Sequence, residues 1–170
     1  IPPLTVIDVT SAGHRPALLV DASFAPAFAA IESGDDGGEI ADDASRSTVP
    51  IDPRIAGQAR RWGIGVDRGW TQIERIVARL RDHAVHDRSV DVPEEADDAV
   101  VWFLEHRRGP DYLFASTAAL LLQALDYDTR LVTGFYVDPA RYDRVAGCTA
   151  VTRDDVHVWC EVRTESGDWI

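Results

Sequence analysis

Between the turn pair Gly109-Pro110 and Asp126, the chain places Phe114, Ala118, Leu121, Leu122 and Leu125 at helical spacing, with Leu120-Leu-Leu crowding the same stretch. A helix that is apolar around most of its circumference is stable only when other elements wrap it. The sequence therefore predicts a central, buried helix starting at Asp111. The remaining elements have to be arranged around it.

Upstream, the texture is helical from residue 50. Asp52-Pro53 pairs an N-cap residue with proline at the first helical position, and the helix it opens should stop at Gly63. Thr71-Gln-Ile-Glu74 has capping-box spacing, and Trp70, Ile73, Val77 and Leu80 fall on one face behind it. A third helix is expected from Asp97 to His106, burying Val100, Phe103 and Leu104, with Gly109-Pro110 closing it. Downstream the pattern changes to strands at 130–137 and 155–163. In the second strand Val156, Val158, Cys160 and Val162 alternate with His157, Trp159, Glu161 and Arg163. Helices followed by antiparallel strands make an α+β domain.

The first 49 residues read differently. Residues 4–10 and 17–24 are strand-like, separated by Gly13 and Pro16, and six acids with three glycines between Glu32 and Asp43 suggest a loop. The expected division is 1–49 as N-terminal strands and acidic loop, and 50–170 as the core. The chain opens on Ile1 and contains no methionine, so it reads as a trimmed piece of a longer product.

A net charge of −12 over 170 residues repels phosphate backbones and anionic lipid. Nucleic acid is therefore not an expected partner, and neither is direct membrane contact by this piece. Two cysteines, Cys148 and Cys160, give neither a disulfide framework nor a CxxC metal pair. His83 and His86 sit three apart at the end of the second helix, but no carboxylate or cysteine stands at a matching spacing. No metal and no other cofactor is expected.

A buried helix beginning after a glycine turn, followed by a strand bearing a histidine, is what a thiol amidase needs. The helix N-terminus stabilises a thiolate, and the strand holds an imidazole beside it. The segments Gly109-Pro-Asp-Tyr-Leu-Phe-Ala-Ser116, Leu120–Leu125, Arg130-Leu-Val-Thr-Gly134 and His157-Val-Trp-Cys-Glu-Val162 together resemble the transglutaminase-like core domain of the papain-like thiol enzymes. The resemblance runs from about residue 50 to residue 170. It implies a papain-like α+β fold, with Asp111 at the position of the nucleophilic cysteine and His157 at that of the general base. The acid that orients the histidine would lie just past Ile170, beyond Trp169. Gly109, Tyr112 and Trp159 are the expected cleft residues.

Asp111, opening a helix after Gly-Pro, also suits a plain N-cap, and His157 also suits a surface or interface position. Neither cysteine is well placed to substitute as nucleophile. Cys160 falls on the strand face opposite His157, and Cys148 lies in a loop. A carboxylate is a poor amide nucleophile and is expelled from a tetrahedral adduct before an amine. The resemblance thus implies a peptide- or protein-binding pseudoenzyme. The alternatives are an active cysteine protease or transglutaminase whose nucleophile was substituted, a hydrolysis in which Asp111 and His157 activate water, and a purely structural scaffold. It further implies an extracytoplasmic domain of a membrane-anchored bacterial protein.

Overall fold

A computed structural model describes residues 50–170, apart from 137, 153 and 154. The strands expected at 4–10 and 17–24 and the acidic run lie outside the described residues. Four helices pack with a small antiparallel pair of strands: α1 (Pro53–Gly63), α2 (Trp70–His83), α3 (Ala99–His106), α4 (Asp111–Gln123), β3 (Thr129–Phe135) and β4 (Val156–Val162). A second, parallel pairing joins the two-residue strands β1 (Val85–His86) and β2 (Arg108–Gly109).

α4 is the helix that the others wrap. Leu113, Ala115, Thr117, Ala118, Ala119, Leu121 and Leu122 are all buried along its length. Leu121 and Leu122 meet Ile55 and Ala59 of α1, Ile73 and Ile76 of α2, Val100 and Val101 of α3, and Val162 of β4 in one core cluster. A fully buried leucine contributes roughly 1.5–3 kcal/mol relative to an exposed one. The packing of α4 therefore holds the other elements in place. Phe114 and Leu125 are only half-buried, because they lie where α4 leaves the core for the cleft and for the following turn.

The helix ends follow local chemistry in part. Asp52 caps α1 as expected, with Oδ1 accepting from Arg54 N at 2.7 Å. Asp98, one residue after the expected start, caps α3 by accepting from the amides of Val100 and Val101 at 2.8 and 2.9 Å. The capping box at Thr71–Glu74 is not formed. α2 starts one residue earlier at Trp70, behind Gly69, whose φ of 138° is open to glycine. The Tyr127 hydroxyl fixes this end, accepting from Gly69 N at 2.7 Å and donating to Gln72 Oε1 at 2.8 Å. Tyr127 is fully buried after α4, so a tertiary contact replaces the local cap.

α3 ends at His106, as expected, and is closed by Arg107 in the left-handed conformation before the chain reaches Gly109-Pro110. The released residues Arg108 and Gly109 then pair with Val85 and His86. His86 is consequently on a strand and not on the second helix with His83. In β3 and β4 the register sets Gly134 opposite His157, Val132 opposite Trp159 and Leu131 opposite Cys160. After β4 the chain turns, and Val162 and Ile170 exchange backbone hydrogen bonds of 2.8 and 3.1 Å.

Candidate active-site cleft

Two structural devices bring Asp111 and His157 together. The parallel β1–β2 pairing, extended by Asp87 N donating to Gly109 O at 2.8 Å, clamps the backbone just before α4. Gly109 itself is buried. A Cβ there would lie 2.6 Å from Leu113 Cδ1 and 3.1 Å from Phe103 Cδ2, so its smallness lets β2 sit against the core. β4 then packs on α4 through Cys160 and Val162, which join the core clusters. The alternation expected for β4 is only partly realised: Cys160 and Val162 join the core, but Val156 is exposed, and His157 from the other set reaches Asp111 at the head of α4.

The resulting contact is direct. His157 Nδ1 lies 3.0 Å from Asp111 Oδ2, and the two side chains are 46% and 22% exposed. Asp111 is the first residue of the helix, not its N-cap, a place taken by Pro110 without a side-chain bond. Its Oδ1 accepts from the following amide, Tyr112 N, at 2.9 Å, and Oδ2 also accepts from Val158 N at 3.3 Å. One carboxylate thus joins the helix terminus to β4, and its charge faces the positive end of the α4 dipole.

Asp111 and His157 line a cleft of ≈ 510 Å³ whose floor is Val77, Leu80, Phe114 and Ala118 and whose rim carries Arg81, His86 and Arg88. Trp159 forms part of the wall, with its ring stacked on that of His157 at 6.1 Å between centroids. A chain of contacts holds the indole in place: Trp159 Nε1 donates to Glu161 Oε1 at 2.9 Å, Glu161 Oε2 takes the Arg130 guanidinium at 2.8 Å, and that guanidinium lies over the Trp169 ring. Gly134 leaves room for the indole, because a Cβ there would sit 2.8 Å from Trp159 Cη2. A second lobe of ≈ 530 Å³ continues beyond His157, lined by Tyr136, Arg141, Asp155 and again Arg88.

Of the other expected cleft residues, Tyr112 is exposed and Gly109 buried, and neither lines the two lobes. Cys160 reaches the cleft wall, yet burial, with the Glu161 charge adding to it, pushes its thiol up to about 12. It is a packing residue with no thiolate to offer near neutral pH. Cys148 is exposed in a turn bridged to Asp143. Among the described residues no three His, Cys, Asp or Glu side chains could hold a metal ion. His83 bonds instead to Leu104 O at 2.8 Å.

Sequence reasoning missed His86, Arg81, Arg88 and Phe114 as cleft residues. Arg81 and Phe114 could have been marked by helical spacing from Val77 and Asp111, whereas His86 and Arg88 lie beyond the end of α2, and His86 arrives only through the β1–β2 pairing.

The model of the transglutaminase-like superfamily matches residues 60–170. The chain belongs to this superfamily. Solved structures agree on the fold. The periplasmic domain of TgpA from Pseudomonas aeruginosa superposes with a TM-score of 0.58 at 20% identity, covering 74% of this chain and 43% of that one. Its ethylmercury-bound form gives 0.57 at 21% identity, covering 72% and 44%. A candidate cysteine protease from Cytophaga hutchinsonii gives 0.52 at 16% identity, covering 69% and 35%. The chain thus spans less than half the length of each of these structures. No curated protein matches the chain. No helix among the described residues is long and apolar enough to cross a membrane.

Proposed function

We propose that this domain is a transglutaminase-like pseudoenzyme that binds peptide or protein segments in the cleft without turning them over. The observation that carries this reading is the 3.0 Å contact between His157 Nδ1 and the Asp111 carboxylate. The superfamily mechanism requires the group at the head of the central helix to give its proton to that nitrogen and attack a carbonyl. A carboxylate has no proton to give. It is a weak nucleophile toward an amide, and any adduct would expel it before the amine.

The carboxylate also takes up hydrogen-bond donors. Tyr112 N and Val158 N, at the junction of α4 and β4, point at Asp111 oxygens. Amides engaged this way are not available to a developing oxyanion on a bound substrate. The same occupation counts against water activation by the Asp111–His157 pair. The apolar floor and the two lobes that continue past His157 favour ligand binding over a bare scaffold role.

Placement of the domain outside the cytoplasmic membrane, on a bacterial parent with spans elsewhere, is part of the same proposal. It is supported by the likeness to a periplasmic domain. Fractionation of the parent protein tests it, and a purely cytosolic distribution would count against it.

The decisive assay compares the unmodified protein with Asp111→Cys, both in the full-length parent and in a Cys148→Ser background, because Cys148 is exposed and would react by itself. The unmodified protein is expected to leave casein uncleaved and uncrosslinked and to ignore a peptide-based thiol electrophile. Asp111→Cys should acquire labelling at position 111 that disappears with His157→Ala. Robust turnover of casein by the unmodified protein would show the reading to be wrong.

A further inference from the structure

We propose that Asp111 and His157 hydrolyse small primary alkyl halides through an alkyl ester formed on Asp111, with the apolar floor of the cleft holding the alkyl chain. This activity is separate from the peptide binding proposed above and involves no amide turnover.

A carboxylate fails at an amide because it leaves the tetrahedral adduct before the amine does. At a saturated carbon the order reverses, since a halide departs more readily than a carboxylate, and displacement leaves a stable ester. A Michael acceptor of the kind that labels thiols offers no such leaving group. Asp111 has an oxygen to spare for the attack. Its Oδ2 takes both the His157 Nδ1 contact at 3.0 Å and Val158 N at 3.3 Å, whereas among the described residues Oδ1 accepts from Tyr112 N alone, at 2.9 Å. Oδ1 attacks the halide-bearing carbon, a carbon–oxygen bond forms, the carbon–halogen bond breaks, and the halide leaves with the electron pair. Arg81 lines the same cavity and makes no ion pair among the described residues, which leaves its guanidinium to receive the departing anion. Val77, Leu80, Phe114 and Ala118 receive the alkyl chain, and ≈ 510 Å³ lies within the range of small-molecule sites.

The same geometry restores the carboxylate. Esterification removes the negative charge of Asp111 and so frees His157 Nδ1, which takes a proton from water while the water oxygen bonds to Asp111 Cγ. Negative charge then develops on Oδ2, where Val158 N already points. An amide occupied by Asp111 is lost to an external carbonyl, but it is aimed correctly at the carbonyl of Asp111 itself. The positive end of the α4 dipole favours the same charge. When the intermediate collapses, the Cγ–Oδ1 bond breaks, the alkoxide takes the proton held by His157, and Asp111 is regenerated with one oxygen from water. An alkyl halide and water have then given an alcohol, a halide ion and a proton.

The full-length parent carrying Cys148→Ser, which removes the exposed competing thiol, is mixed in excess with butyl iodide in oxygen-18 water, and peptide mass spectrometry reads Asp111. Heavy oxygen should enter Asp111, and the first butanol released should carry ordinary oxygen taken from the carboxylate. With butyl iodide in excess, His157→Ala should give a burst of about one equivalent of iodide, keep the butyl group on Asp111 and slow butanol release by about 10²–10⁴-fold. Asp111→Asn should release iodide no faster than a protein-free control. Heavy oxygen in the first butanol, with none in Asp111, would mean that water attacks the substrate directly, and it overturns the ester. Iodide release at the protein-free rate in the presence of both residues overturns the activity altogether, whether or not peptides bind the cleft. Should His157→Ala fail to fold, the oxygen label in the protein with both residues intact still decides.

Discussion

The two ends of α4 obey different rules. Its C-terminal half, with Leu121 and Leu122 almost fully buried, is closed on several sides by α1, α2, α3 and β4. Its first turn carries an exposed tyrosine and a carboxylate whose partners come from β4, 46 and 47 residues away in the chain. One end is held by shape and apolar area, the other by a few directional polar contacts. Stability should therefore concentrate at the core end and chemistry at the site end.

The largest expected effect tests the core end. Leu121→Ala should destabilise the domain by about 2–5 kcal/mol, read from chemical denaturation, since it removes a fully buried side chain from a layer touched by all four helices. A loss below about 1 kcal/mol would mean that the helix is less tightly wrapped than its burial indicates.

Gly134→Ala sits between the two regimes. The added methyl would meet Trp159 Cη2 at 2.8 Å, so the ring must move and the Trp159–Glu161 bond must lengthen. A cost of roughly 1–3 kcal/mol with a shifted tryptophan emission is expected. An unchanged spectrum would show that the indole is not confined by β3.

At the site end, Asp111→Ala should cost only about 1 kcal/mol, because its contact with His157 is partly exposed and contributes modestly. The Val158 amide resonance should move even so, having lost its acceptor. A loss comparable to that of Leu121→Ala would erase the contrast between the two ends.

The smallest effect concerns the thiols. At pH 8 an alkylating reagent should modify Cys148 and spare Cys160, whose thiol is held up to about 12 by burial, as mass spectrometry of the intact and unfolded protein would show. The sign of the linkage follows: a thiol raised from 9.0 contributes stability fully below pH 9, and that contribution is lost as pH climbs toward 12. Rapid alkylation of Cys160 in the folded protein would place it outside the core.

Sequence patterning alone identified α4, because an apolar helix can be stable only inside a fold. It also identified the cap at Asp52, since capping is a property of neighbouring residues. The resemblance of its motifs singled out Asp111 and His157 before their 3.0 Å contact was known. What depended on distant partners was not legible. The capping box at Thr71 gave way because Tyr127, beyond α4, held Gly69 instead. His86 entered the cleft through a two-residue parallel pairing that no periodicity announces. Asp111 turned from an expected N-cap into a bridge to β4 because Pro110 took the cap position, leaving the carboxylate free to meet a strand far along the chain. Local order is encoded in short-range spacing, whereas the composition of a cleft depends on which elements the packed core brings side by side.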